Sequence, residues 1–222
     1  MQLVHHQFDA RDFVAGHIAL DLANTVAGRD PDRARRARGD TPGRDRLPDY
    51  DAVLAWSAAM AGAAVTPILA PDEARGLARM AGRAPARAAT ALEALKRFRE
   101  ALFAAAVPLA RAADPPATAL DVLRGAWLEA AAAARLTRTT RGLAPRLTTA
   151  ASGLDLPRHR AAWAAMELLT TGDLTRLRLC AGDDCAWLFL DGSKARRRRW
   201  CDMATCGNVA KARRHYERRR RG

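Results

Sequence analysis

The chain has 222 residues, 49% of them hydrophobic and 27% charged, with a formal net charge of +13. That length suits one ordinary helical core with a small second unit. No apolar run approaches the roughly 18 to 20 residues of a membrane span, and nothing at the N-terminus resembles a secretory signal, so a membrane partner is excluded and a cytoplasmic location is expected. Only Lys96, Lys194 and Lys211 are lysines among the 37 basic residues, a compositional bias that makes overall basicity a poor guide to partners. Its clustering is more informative.

Residues 1–172 read as one mainly helical domain. Candidate helices fall near 14–28, 49–62, 72–82, 87–112, 116–134 and 158–170, with breaks at the Gly/Pro/Asp/Arg-rich stretch 29–48 and at Pro71, Pro85, Pro115 and Pro157. Proline suits the first position of a helix, and Asp114 before Pro115 reads as an N-cap. Residues 136–149 instead alternate apolar residues with Thr and Arg around Gly142, which predicts a β-hairpin. Trp56, Trp127 and Trp163 are the expected anchors of the helical core.

The first candidate helix carries His17, Asp21, Asn24 and Thr25 at i, i+4, i+7 and i+8. A helix starting at Gly16 would place all four on one face. Such a stripe is a ligand pocket, a buried hydrogen-bond network or a solvated face. For the pocket reading we take His17, Asp21 and Asn24, with Arg99 as their partner from Phe98-Arg99-Glu100. No phosphate loop, nucleophile elbow or His-rich metal motif is present, so no catalytic residue is named and no enzyme is expected.

All four cysteines, Cys180, Cys185, Cys201 and Cys206, lie in the last 43 residues as two C-x4-C pairs separated by 15 residues. Two such pairs can place four thiolates around one metal ion. Four-cysteine sets also hold iron–sulfur clusters, but the surroundings favour one zinc ion per chain. Residues 177–190 read as strand, metal-binding turn and strand; a cationic stretch follows, then Trp200, the second pair, and a helix from Val209 capped by Asn208. Trp187, Phe189, Trp200 and Tyr216 would supply a small core. Between Lys194 and Gly222 stand twelve basic residues against Asp202 and Glu217. On the last helix Val209, Ala212 and Tyr216 would form an apolar stripe lying on the finger, leaving Lys211, Arg214, Arg218 and Arg221 on another face. With Lys194, Arg196, Arg197, Arg198, Arg199 and Asn208 these cations make a candidate nucleic-acid surface, because phosphate contacts dominate such affinity.

The run from Cys180 through Ala186-Trp187-Leu188-Phe189-Leu190-Asp191-Gly192-Ser193 to Arg199-Trp200-Cys201 and Cys206-Gly207-Asn208 resembles the CGNR-type zinc finger. Gly16-His17-Ile18-Ala19-Leu20-Asp21, followed by Asn24-Thr25-Val26, resembles the opening of the ABATE domain that precedes that finger. The arginine that follows Cys-Gly-Asn in the family is Val209 here. The resemblance implies a stress-related transcription regulator and places DNA above RNA as the partner. The resulting expectation is a mainly α (α+β overall) protein: an ABATE-like helical sensor domain, residues 1–172, with a small β-hairpin, then a treble-clef/zinc-ribbon-like finger, residues 173–222. A small-molecule effector is expected for the first part and nucleic acid for the second. The alternatives are an enzyme or small-molecule binder with a pocket at His17, Asp21 and Arg99 and a purely structural finger, or a finger that binds RNA or protein. The oligomeric state is not legible.

Overall fold

The computed structural model describes residues 6–29 and 44–220. Most of the stretch expected as a loop over 29–48 therefore lies outside the described residues, as does Arg221. Among the described residues seven α-helices precede the finger: α1 (Ile18–Ala23), α2 (Tyr50–Gly62), α3 (Pro71–Arg83), α4 (Pro85–Ala110), α5 (Ala117–Ala133), the single turn α6 (Thr149–Ser152) and α7 (Leu156–Thr171). Local chemistry fixes most of their starts. Asp49 caps α2 by accepting from the Ala52 amide at 2.9 Å, and Glu73 reaches back to the Ala70 amide at 2.9 Å at the start of α3. Pro71 and Pro85 occupy the first position of their helices, where a missing N–H costs nothing. The α5 cap is Pro116 rather than Asp114, so that helix begins later than the sequence suggested.

The first helix departs most from expectation. It covers six residues, not 14–28. Gly16 takes a positive φ of 76°, which brings the chain in at an angle that only glycine adopts without strain, and His17 then caps the helix through Nδ1 to the Ala19 amide at 3.3 Å. At the other end Thr25 and Val26 leave the helix; β1 (Val26–Ala27) pairs antiparallel with β2 (Arg44–Asp45), Val26 opposite Asp45. The expected hairpin is present as β3 (Arg135–Thr139) and β4 (Gly142–Arg146), Thr139 opposite Gly142. Its Leu136 and Leu143 are exposed.

The long helix α4 is the hub. It packs against α1, α2, α3, α5 and α7, and also against the finger hairpin, β5 (Leu177–Leu179) and β6 (Leu188–Leu190). Trp56, Phe98, Leu20, Leu22, Leu102 and Leu156 fill the centre. Of the three expected tryptophan anchors, only Trp56 is fully buried; Trp163 packs on the core from its margin and Trp127 is half-buried outside it. The apolar cluster runs without a break into the finger through Leu177, Cys180, Leu188, Phe189 and Cys201. Among the described residues no helix is long and apolar enough to cross a membrane.

Candidate functional site

The metal centre is assembled from two knuckles. Cys180 follows β5 and Cys185 closes the next turn, the Cys185 amide donating to the Gly182 carbonyl at 3.2 Å. Glycine suits the crowding at position 182, since a Cβ there would stand 3.3 Å from both the Cys185 Cβ and the Cys206 Sγ and would make its neighbours shift slightly. Cys206 sits inside a wide helical turn, Met203–Gly207, that runs directly into α8 (Asn208–Arg219). Its cap is Asp202, which accepts from the Ala204 and Thr205 amides at 3.2 and 3.0 Å. Asn208, expected as the cap, is instead helical, and its amide side chain donates to the Ala204 carbonyl.

The four Sγ atoms lie within 4.8 Å of one another, with Cys185 to Cys201 at 3.5 Å and Cys201 to Cys206 at 3.6 Å. A tetrahedron with zinc–sulfur bonds of about 2.3 Å has edges of about 3.8 Å, so the set fits one zinc ion. Its electrostatics agree. Hydrogen bonds from Cys185 and the other cysteines, with the Cys201 amide, push the Cys180 thiol well below its ordinary pKa, whereas proximity to Cys180 pushes Cys185 and Cys201 well above theirs. Four thiolates this close can be ionised together only around a cation.

The finger is tied to the helical domain by polar as well as apolar contacts. The Asn24 carboxamide reads both backbone groups of Leu188, donating to its carbonyl and accepting from its amide, each at 2.9 Å. The Leu190 amide donates to the Ala15 carbonyl at 2.8 Å, and the Trp187 indole donates to the Val26 carbonyl at 3.3 Å. Gly16 packs against Leu190, with a hypothetical Cβ 3.7 Å from that side chain. The pairing of Asn24 with Leu188, 164 residues away, had no signal in the sequence beyond a polar residue on an otherwise buried helix.

The basic residues sort by what they touch. Arg198 points inward, donating to the Val14, Trp200 and Cys201 carbonyls and stacking on Phe189 at 4.5 Å. Asp191 is fully buried and pins the same loop by accepting from the Arg198 amide and from both the hydroxyl and amide of Ser193; those Ser193 bonds hold its carboxyl below the ordinary range. Arg196 is turned toward Asp173 and Thr175. Arg199 and Arg214 flank the half-buried Trp200 at 5.4 and 5.7 Å. Lys194, Arg197, Lys211 and Arg218 are exposed with no carboxylate partner among the described residues. The apolar stripe expected to seat α8 on the finger does not do so: Val209 and Tyr216 are each 71% exposed and Ala212 is exposed, while the helix reaches the finger through Arg213 on Asp183 and Arg214 on Trp200 and packs mainly on its own preceding turn. Tyr216 is therefore no part of the finger core, whose large side chains are Phe189 and, at its margin, Trp187 and Trp200.

The residues grouped as a pocket separate. His17 and Asp21 border a cavity of about 670 Å³ between α1, the loop after α2 and α7. Asn24 is committed to Leu188, and Arg99 faces elsewhere: it is 3% exposed and forks onto Asp45 at 2.7 and 3.0 Å, with a further bond to Thr25 Oγ1 at 3.1 Å. Burial opposes the Asp45 carboxylate, but the Arg99 hydrogen bonds outweigh it and hold the pKa below the ordinary value. Arg99 thus closes the β1–β2 ladder rather than a pocket. Asp21 is 2% exposed, and burial pushes its carboxyl up to about 7.

The fold and the metal geometry define a helical domain fused to a four-cysteine finger, and residues 176–219 match the CGNR zinc finger family. Residues 16–172 match the ABATE family, whose description reads "Putative stress-induced transcription regulator". With that match spanning most of its length, the chain belongs to the ABATE family. No curated protein matches it.

Proposed function

We propose that the chain is a cytoplasmic transcription regulator whose zinc finger binds duplex DNA and whose helical domain senses a small-molecule effector. The observation that carries the DNA half is the set of exposed cations Lys194, Arg197, Lys211 and Arg218 beside Arg199 and Arg214 on Trp200. Unpaired guanidinium and ammonium groups cost little to bring to phosphate, whereas Arg196 and Arg198 already spend their donors within the protein. Asn208 and Lys211, exposed on the first turn of α8, are the residues we assign to base contacts.

Titrating the zinc-loaded chain onto duplex DNA at several salt concentrations tests this reading. With roughly four to six phosphates contacted, the logarithmic salt slope should be about −4 to −5, near 0.9 per phosphate. Arg197→Ala and Lys194→Ala should flatten the slope by about one each, and Asn208→Ala should relax sequence preference by about 1–3 kcal/mol. Absence of binding at low salt removes the DNA reading, and tighter binding to single-stranded RNA moves the assignment to RNA.

A further inference from the structure

We infer that the cavity at His17 and Asp21 is a binding site for a small organic cation, an amine bearing an apolar group, whose ammonium pairs with the Asp21 carboxylate. This deepens the sensor half of the proposed function and depends on it only for the output. At about 670 Å³ the cavity is the size of an ordinary ligand site. Most of its wall is apolar, with Phe13, Ile18, Val65 and Ile68 prominent.

The choice of ligand follows from which polar groups in the wall are already satisfied. Arg160 is not available to an anion: it forks onto Glu73 at 2.6 Å through both terminal nitrogens and donates again to the Ile68 and Leu147 carbonyls at 2.7 and 2.9 Å. His17 accepts from the Ala19 amide through Nδ1, and burial pushes its pKa below the ordinary value. Asp21 is different. Its Oδ1 accepts from the Ala15 amide at 3.0 Å, while Oδ2 has no hydrogen bond and no counter-cation among the described residues. A carboxylate with no counter-ion in an apolar cavity is satisfied best by a cation that brings its own charge and N–H donors. A neutral hydroxyl can donate to it but gains no charge pairing, and an anion meets repulsion.

Asp21 also sits one hydrogen bond away from the finger. Ala15 donates its N–H to Asp21, and its C=O, in the next peptide group, accepts from Leu190 of β6. A ligand that pulls the carboxylate toward the cavity acts on Ala15, the residue whose carbonyl anchors the finger hairpin, which supplies a route for coupling.

The test is calorimetric titration of the zinc-loaded full chain at about pH 8 with phenethylamine, phenethyl alcohol and hydrocinnamate, three probes of one shape and three charges. Phenethylamine should bind about tenfold or more tightly than the alcohol, as a charged hydrogen bond exceeds a neutral one, and hydrocinnamate should not bind. Amine affinity should fall by about tenfold per pH unit below about 7, as Asp21 takes up a proton. The other charged groups near Asp21 are His17, Asp12 from the N-terminal turn, Glu167 of α7 and the Arg160–Glu73 pair; protonation of His17 would deepen the fall. Asp21→Asn keeps the acceptor for Ala15 and should erase the amine preference, while Ala164→Leu should block all three probes. Thermal transitions confirm that both variants fold. Equal binding of alcohol and amine, a preference that persists in Asp21→Asn, or no binding of the amine overturns the inference. If the amine binds with the expected pattern but leaves DNA affinity unchanged, the site stands and the sensor reading falls.

Discussion

At the scale of single residues, Asp21 and Asn24 have separate tasks although only three positions part them at the end of α1. In the folded chain Asp21 holds its proton up to about pH 7, whereas an ordinary aspartic acid releases it near 3.8. The folded state therefore binds more protons between these values, and the stability from Asp21 is fully present below about pH 4 and is lost as pH rises to about 7. At roughly 1.4 kcal/mol per unit the effect is on the order of a few kcal/mol. Asp21→Asn should be more stable relative to the parent at pH 8 than at pH 5, as measured by urea unfolding. His17 and His159, whose pKa values burial pushes down, oppose this trend in both proteins and cancel in the difference. Asn24→Ala should cost about 2–4 kcal/mol, because it strands a buried N–H and a buried C=O of Leu188. Stability of that variant across zinc concentrations checks the assignment to the finger joint; a loss below about 0.5 kcal/mol would refute it. The i, i+4, i+7 spacing revealed that these residues are special. It could not reveal that the helix ends at Ala23, because Gly16 and the β1–β2 ladder set its limits through contacts distant in sequence.

Among the elements, α8 and the β5–β6 hairpin contrast in how they are held. The hairpin was readable because ligand spacing and alternating apolar residues coincide, and the fully buried Leu188 and Phe189 explain why it is formed. The helix was readable as a helix but not as a projecting one. An apolar stripe of Val209, Ala212 and Tyr216 looks the same in sequence whether it is covered or bare, and here it is bare. Two substitutions separate the cases. Phe189→Ala should destabilise the chain by about 3–5 kcal/mol, while Tyr216→Ser should change stability by less than about 0.5 kcal/mol, both read from denaturant midpoints. The same contrast should appear in amide exchange, with α8 exchanging faster than β5 and β6. Slow exchange throughout α8 in the isolated protein would mean that its stripe is covered in solution.

For the whole molecule, the continuous core makes the finger a wall of the helical domain as well as a metal site. A finger of this size with a core of its own would be a unit that metal binding folds by itself, leaving the helical domain indifferent to its loss. The shared burial of Leu177, Leu188 and Phe189 with α1 and α4 implies otherwise. Zinc removal, or Cys185→Ser, should lower the midpoint of a single cooperative thermal transition observed equally by helix circular dichroism and by tryptophan fluorescence. Two separated transitions, with the helical signal unmoved, would count against that coupling. The long-range joints responsible, Asn24 to Leu188 and Ala15 to Leu190, depend on which surfaces meet, and one-dimensional spacing does not encode that.

The unbroken apolar cluster bears on how this architecture can be rearranged. A finger that carried its own core could be cut from one protein and grafted onto another as an interchangeable cassette. Here excision would leave Leu188 and Phe189 without their covering helices and would open a groove along α1 and α4 where they had been. Within the described part of the finger, α8 touches little beyond its own leading turn, Asp183 and Trp200, and can be exchanged at smaller cost than the hairpin. The last helix can therefore diverge quickly, while the hairpin and the helical domain must change together.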